Sequence, residues 1–309
     1  MGTIVRTTAL AALQTGLNLN FASGYNSPTE APLFKMLTSE ISSKKKNVLV
    51  ALADMMPQMR EWLGNRIYHQ PAEHSQLISN PHYELSLAVD ADDVADDELG
   101  SYFLSSTALG DRAAQHPDIL LATVLQTGTT TLGFDGQNFF DTDHPINVKA
   151  GTGSQSNYTS TAMALTAANW ELMRARMASW TAGPSGELIG SRPTHVIVPR
   201  QLEGIARRIF EAQDVASIAG TATETNVNRG AAKVIVWDRL NNEPTAWYGV
   251  DLRGILKPWI YVLREAPKFV MRNRPDDSNM FEDNLIKFGV DGRFGIGPGA
   301  WFRAYKAVA

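Results

Sequence analysis

The stretch Gly133-Phe134-Asp135-Gly136-Gln137-Asn138-Phe139-Phe140-Asp141-Thr142-Asp143-His144-Pro145 closes a run that begins at Asp92, and the reading of the fold turns on it. Upstream, Asp92 or Asp93 can cap a helix, and Asp96, Asp97 and Glu98 supply the negative charge that the free amides of a helix N-terminus favour. Leu99, Tyr102, Phe103, Leu109 and Ala113 then form one apolar stripe, with Ser105, Asp111 and Arg112 off it. Pro117 predicts the end of that helix. Asp118 to Gln126 predicts a second short one, closed by Gly128 within the run Thr127 to Thr131.

The loop itself invites two chemistries. Asp135, Asp141, Asp143 and His144 put three carboxylates and an imidazole within ten residues, groups that hard cations and acid/base catalysis both use. A metal-assisted hydrolase built on Asp141 and His144 is the enzyme reading. Turn chemistry is the stronger one: the spacing is not that of an EF-hand, no second His or Cys completes a zinc set, and Asp, Asn, Gly and Pro are what tight turns require.

Phe134 to Pro145 closely resembles the corresponding loop of the major head (capsid) subunits of Mu-like bacteriophages and prophages. A second match follows near the end of the chain. There Leu256-Lys257-Pro258-Trp259-Ile260, Arg264-Glu265-Ala266-Pro267, Asp276-Asp277, Met280-Phe281 and Phe288-Gly289 keep the family's order and approximate spacing. The resemblance runs from about Glu61 to Tyr305 and is weakest in the first fifty residues and around Gly183 to Glu224. It implies an α+β fold of the Hong Kong 97 capsid type. The implied parts are an N-terminal arm (1–57), an extended β-hairpin loop (58–90), a peripheral domain with a long spine helix and antiparallel sheet (91–149), a mixed α/β axial domain (150–257) and a return to the peripheral domain (258–309). The implied function is that of a major capsid protein, without catalysis or cofactor, made in the bacterial cytoplasm and located in the virion. Its partners would be further copies of itself in hexamers and pentamers, a scaffolding protein, a portal, a decoration protein and packaged double-stranded DNA, met by proximity. A cellular shell of the encapsulin kind shares the fold and is the alternative within it.

Composition is consistent with a shell subunit. With 309 residues, 44% hydrophobic and 19% charged, the chain can bury one large core or two smaller ones. A formal net charge of -4 provides no basic field for a dedicated DNA binder. The absence of cysteine excludes disulfides, thiolate metal sites and cysteine nucleophiles. No secretory signal and no window of about eighteen apolar residues is seen. The six histidines include no helical pair of the zinc-hydrolase kind.

Residues Met1 to Lys46 read as an irregular segment with a helical patch at Leu33 to Ile41, too poor in apolar residues to bury itself. Gln58 to Val89 reads as a long hairpin, with Trp62, Ile67 and Tyr68 on one arm and alternating Tyr83, Leu85, Leu87 and Val89 on the other. Beyond a Gly/Ser/Thr/Asn-rich boundary at Gly151 to Ser160, Thr166 caps a helix striped with Trp170, Met173, Met177 and Trp180. Strands at Thr194 to Val198 and Lys233 to Trp237 flank a helix at Gln201 to Ala212, a mixed α and β module. Four strands close the chain, at Trp259 to Leu263, Lys268 to Arg272, Asn284 to Gly289 and Ala300 to Tyr305. Gly292, Gly295, Gly297 and Gly299 read as turn or bulge glycines between the last two. The candidate intersubunit contacts are Trp62, Arg66, Tyr68 and His74 of the hairpin, the acidic Asp96, Asp97 and Glu98, and the basic Arg207, Arg272 and Arg274.

Overall fold

The computed structural model describes residues 2–53, 73–92, 99–148, 150–160, 162–183, 186–216, 223–272, 277 and 282–309. In chain order its elements are α1 (Gly2–Asn26), α2 (Phe34–Leu37), β1 (Thr38–Ser42), β2 (Asn47–Ala53), β3 (Glu73–Ser79), β4 (His82–Asp90), α3 (Leu99–Gln126) and β5 (Tyr158–Thr159). There follow α4 (Ala167–Ser179), β6 (Thr181–Ala182), β7 (Glu187–Leu188), β8 (His195–Val198), α5 (Glu203–Phe210), β9 (Asp214–Ala216), β10 (Thr223–Thr225), β11 (Lys233–Val236), β12 (Ala246–Val250), β13 (Trp259–Arg272), β14 (Leu285–Pro298) and β15 (Ala304–Val308).

Two sheets organise the molecule. The first has strand order β1-β13-β14-β4, with β13 and β14 antiparallel partners of 14 residues each. The second has order β11-β8-β12-β15-β5. One apolar cluster joins them: Phe139, Trp259 and Tyr261 from the first region meet Trp170, Val196, Tyr248 and Tyr305 from the second. Helix α4 forms as its sequence dictates. The Thr166 side chain accepts from Asn169 N, and Trp170, Met173 and Met177 are buried on one face.

The spine helix is longer than the sequence suggests. Pro117 does not end it, and α3 continues for 28 residues to Gln126. A proline inside a helix removes one hydrogen bond and costs about 3 kcal/mol in an isolated helix. Here the buried positions Leu109, Ala113, Leu121 and Leu125 keep a spacing in fours that passes through Pro117 itself, so burial on both sides holds the register. The residues proposed to cap and charge its start, Asp93, Asp96, Asp97 and Glu98, lie outside the described residues.

The N-terminal segment also departs from its reading as irregular. Helix α1 spans 25 residues and packs along α3, burying Leu13, Leu17 and Phe21 against Leu109, Ala113, Ile286, Phe288 and Val290. Its apolar stripe is narrow because glycines complete the interface. A Cβ on Gly24 would collide with the Thr107 carbonyl oxygen and one on Gly110 with that of Phe21, so the two backbones touch. Side chains of α3 fasten the N-terminal segment along its length. Ser106 Oγ donates to Leu17 O at 2.7 Å, Asp111 accepts from Thr29 N at 2.7 Å, and Asp118 accepts from Leu33 N and Phe34 N at 3.0 and 2.7 Å. The helical patch expected at Leu33 to Ile41 resolves into the short α2 and then β1, which pairs in parallel with β13.

The hairpin is displaced relative to expectation. β4 is a strand, but its partner is β14, from Leu285↔Asp90 to Arg293↔His82. The ribbon that stands apart from both sheets is β2 with β3, paired from Asn47↔Ser79 to Ala53↔Glu73. Glycines 292, 295 and 297 lie inside β14 rather than in a turn, Gly292 opposite the bulge of β13 at Pro267, and the last strand, β15, joins the second sheet between β12 and β5 instead of the first. Among the described residues no helix is long and apolar enough to cross a membrane.

Candidate functional site: the 133–145 loop and the assembly surfaces

The loop is a knot of turns hung from the end of α3. Gly133 N donates to Gln137 O at 2.7 Å and Phe139 N to Thr131 O at 2.8 Å, with Gly136 at φ +87° between them. This geometry drives Phe139 and Phe140 inward, where they are almost wholly buried. Phe139 lies against Trp259 of β13 and Phe140 against Tyr248 of β12, so the loop plugs the seam between the sheets.

His144 is fully buried, its ring stacked on Trp301 at 3.9 Å with an interplanar angle of 7°. Its Nδ1 lies 2.6 Å from Asp135 Oδ2 and its Nε2 3.1 Å from Asn157 Oδ1. Asn157 donates through Nδ2 to the carbonyls of Phe139 and Trp301 at 2.8 and 3.3 Å, which fixes its amide orientation. Oδ1 is then the acceptor for both Asp141 N and His144, and Nε2 is a donor. The Nδ1 to Asp135 separation in turn requires a proton between the two atoms. Asp141 spends its carboxylate on Asn138 and Thr142 N, and Asp143 is exposed.

Of the four residues of the enzyme reading, Asp135 and His144 meet, whereas Asp141 turns to Asn138 and Thr142 and Asp143 is exposed. Both ring nitrogens of His144 face protein partners, and among the described residues no group of three or more His, Cys, Asp or Glu could hold a metal. Turn chemistry accounts for the loop. The residue missed by sequence reading is Asn157, which sits inside the Gly/Ser/Thr/Asn-rich stretch Gly151 to Ser160, where one more Asn does not stand out.

Two further buried clusters hold the sheets. Asp251 accepts from Arg192 N, Arg253 N and the guanidinium groups of Arg253 and Arg303. Burial pushes its carboxyl up, but these donors outweigh it and hold the group below the usual range. Glu243 takes Lys306 Nζ at 2.7 Å and the Tyr248 hydroxyl at 2.5 Å. Burial, with the Glu243 charge behind it, pushes that phenol well up.

A largely apolar cavity of about 350 Å³ opens between α3, β4 and the bulge of β13 around Pro267. Tyr83, His116 and Phe294 pack in its wall, the imidazole edge-on to both other rings. Burial, with the Arg239 charge as second cause, holds the His116 imidazole below the usual histidine range.

Of the proposed intersubunit residues, Trp62, Arg66, Tyr68, Asp96, Asp97, Glu98 and Arg274 lie outside the described residues. His74 sits on β3 opposite Leu52. Arg207 is exposed on α5, held within its own chain between Glu203 and Glu211, each at 2.9 Å. Arg272 is exposed at the end of β13, in register with Lys287.

The sequence model of the family described as "Mu-like prophage major head subunit gpT" matches residues 10–164, 155–240 and 238–309. The major capsid protein of Escherichia phage Mu is 25% identical over 299 residues, covering 96% of this chain and 73% of that protein. The FluMu major head subunit of Haemophilus influenzae is 24% identical, covering 95% and 71%. The procapsid structure of bacteriophage JBD30 superposes with a TM-score of 0.60 at 23% identity, over 97% of this chain and 75% of that one. The fold is the α+β fold of phage capsid subunits. The chain belongs to the Mu-like prophage major head subunit family, and its role is that of a major capsid protein forming the shell of the virion.

Proposed function

We propose that the subunit assembles through heterologous contacts into the hexamers and pentamers of a closed head around double-stranded DNA, without catalysis. The observation that carries this reading is the β2/β3 ribbon. It pairs with no other strand of the described chain, and a lone two-stranded ribbon is marginal in water. Beyond its base, which packs on β13 and β14, the ribbon takes its covering surface from a neighbouring copy. The extended loop is then 47–79 rather than 58–90, with Trp62, Arg66, Tyr68 and His74 as contacts, and each interface exceeds roughly 1,000 Å². Asp96, Asp97, Glu98, Arg272 and Arg274 are carried as electrostatic contacts between copies. Arg207, already engaged at both sides, contributes less. A separate scaffolding protein, a portal and a decoration protein complete the set of partners.

Sedimentation velocity on the purified chain, alone and co-expressed with its genomic neighbours, tests the proposal. Megadalton particles in either sample are expected, and monomers or small oligomers in both would overturn it. DNA inside particles separates a phage head from a cellular shell.

A further inference from the structure

The base of the β2/β3 ribbon rests on β14 at a place where that strand carries no side chains. Successive residues on one face of a strand are two apart, and in β14 that face carries Gly295 and Gly297, opposite Val262 and Ile260 of β13. Into this trough drops the end of β3. A Cβ on Gly297 would lie 2.7 Å from Ile78 Cγ1, and a Cβ on Gly295 would overlap the Ser79 carbonyl oxygen. Ile78, only 3% exposed, packs with Val48, Ile260 and Val262. Around this seat, Asn80 closes a clasp, its N and Nδ2 donating to the carbonyls of Lys46 and Lys45 at 2.9 and 3.1 Å. Gln76 Nε2 adds a strut to Leu132 O at 3.2 Å, tying the ribbon to the loop that plugs the two sheets.

We propose that Gly295 and Gly297 are positioning residues for assembly: the bare strip they make in β14 sets the direction in which the ribbon leaves the subunit. This rests on the reading of the ribbon as the element that reaches a neighbour. The physical basis is leverage. From Ser79 to Glu73 the strand rises about 20 Å, so a displacement of about 1 Å at the seat, roughly what an added methyl at Gly297 needs for ordinary contact, becomes several ångströms at the far end. The two glycines differ in kind. The obstacle at Gly297 is a side chain that can be shortened, whereas at Gly295 it is backbone.

The chain has no cysteine, so spin labels placed at Glu73→Cys and Leu104→Cys report one distance between the ribbon's far end and the spine helix in unassembled subunits. The native seat gives a narrow distribution. Gly297→Ala shifts it by several ångströms, and adding Ile78→Ala returns it toward the native value. Gly295→Ala shifts it too, and Ile78→Ala does not restore it. Ile78→Ala alone, which adds no clash and leaves the main core untouched, broadens the distribution. An unmoved distribution in Gly297→Ala with a native melting profile, or an equally narrow one in Ile78→Ala, would overturn the proposal. Particle diameter of the same variants by electron microscopy separates the two layers: a shifted ribbon with unchanged particles leaves the seat standing and removes the reading of the ribbon as the reach between subunits.

Discussion

Asn157 and His144 show how a few buried polar groups hold a loop. The Asn157 amide serves Phe139 O, Trp301 O, Asp141 N and His144 Nε2 at once. Replacing it with leucine leaves several of these without partners, and each stranded buried group costs about 1 to 3 kcal/mol. Asn157→Leu is therefore expected to lose about 3 kcal/mol or more in chemical denaturation, whereas Asp143→Asn, at an exposed position, stays close to wild type. Equal losses for the two would contradict this account. His116 carries a pH dependence. Its folded pKa lies below the ordinary 6.5, so between the two values the unfolded chain binds the extra proton. Stability from this group is complete above about pH 6.5 and is lost as pH falls toward the folded value, with a slope of at most about 1.4 kcal/mol per unit. His195, lowered by burial and then by Lys233, adds in the same direction. His116→Gln should flatten the acid limb of a stability-against-pH curve, and an unchanged limb would show that the imidazole is not held neutral.

The contact between α1 and α3 is made by glycine, and this sets its tolerance. At Gly110 a side chain meets the Phe21 carbonyl and the Tyr25 amide, so the helices must separate; at Gly100 nothing lies within 4 Å. Gly110→Leu is expected to cost about 3 kcal/mol, the upper range for overpacking, while Gly100→Ala gains about half a kcal/mol from helix propensity. Thermal unfolding of the pair checks the contrast, and a harmless Gly110→Leu would mean that the helices are not in contact. The same elements show what the sequence could disclose. Helix α4 was legible from its Thr166 cap and its Trp170, Met173 and Met177 stripe because both signals are local. Helix α1 was not, since Leu13, Leu17 and Phe21 make a stripe one residue wide and Gly24 reads as a loop residue until the Thr107 carbonyl meets it. For β4 the alternation was visible, yet its partner β14 lies about two hundred residues away, and no local pattern names a partner at that distance. In the loop, Asp, Asn and Gly announced turns, whereas the anchor Asn157 was hidden in a segment that resembles a linker.

At the scale of the whole molecule, the two sheets meet through one shared apolar cluster. β1 lines the edge of the first sheet beside β13, while β15 lies inside the second between β12 and β5. Between the sheets, Phe139 and Phe140 extend one apolar cluster from Trp259 to Tyr248, and Asp251 joins the end of β12 to Arg303 just before β15. The two sheets thus share a core, and loosening one side withdraws burial from the other. A subunit with two independent cores would melt in two steps, each shifted by its own mutations. The shared core predicts one cooperative transition for the unassembled subunit, with calorimetric and van't Hoff enthalpies in agreement. Trp170→Ala removes a fully buried indole on the side of the second sheet and should cost about 3 to 5 kcal/mol. That loss should lower the single transition as a whole, moving near-ultraviolet and far-ultraviolet signals together. A split into two transitions, with that of the first sheet unmoved by Trp170→Ala, would show that the 133–145 plug transmits no stability across the seam. The subunit would then enter the shell as two bodies on a hinge.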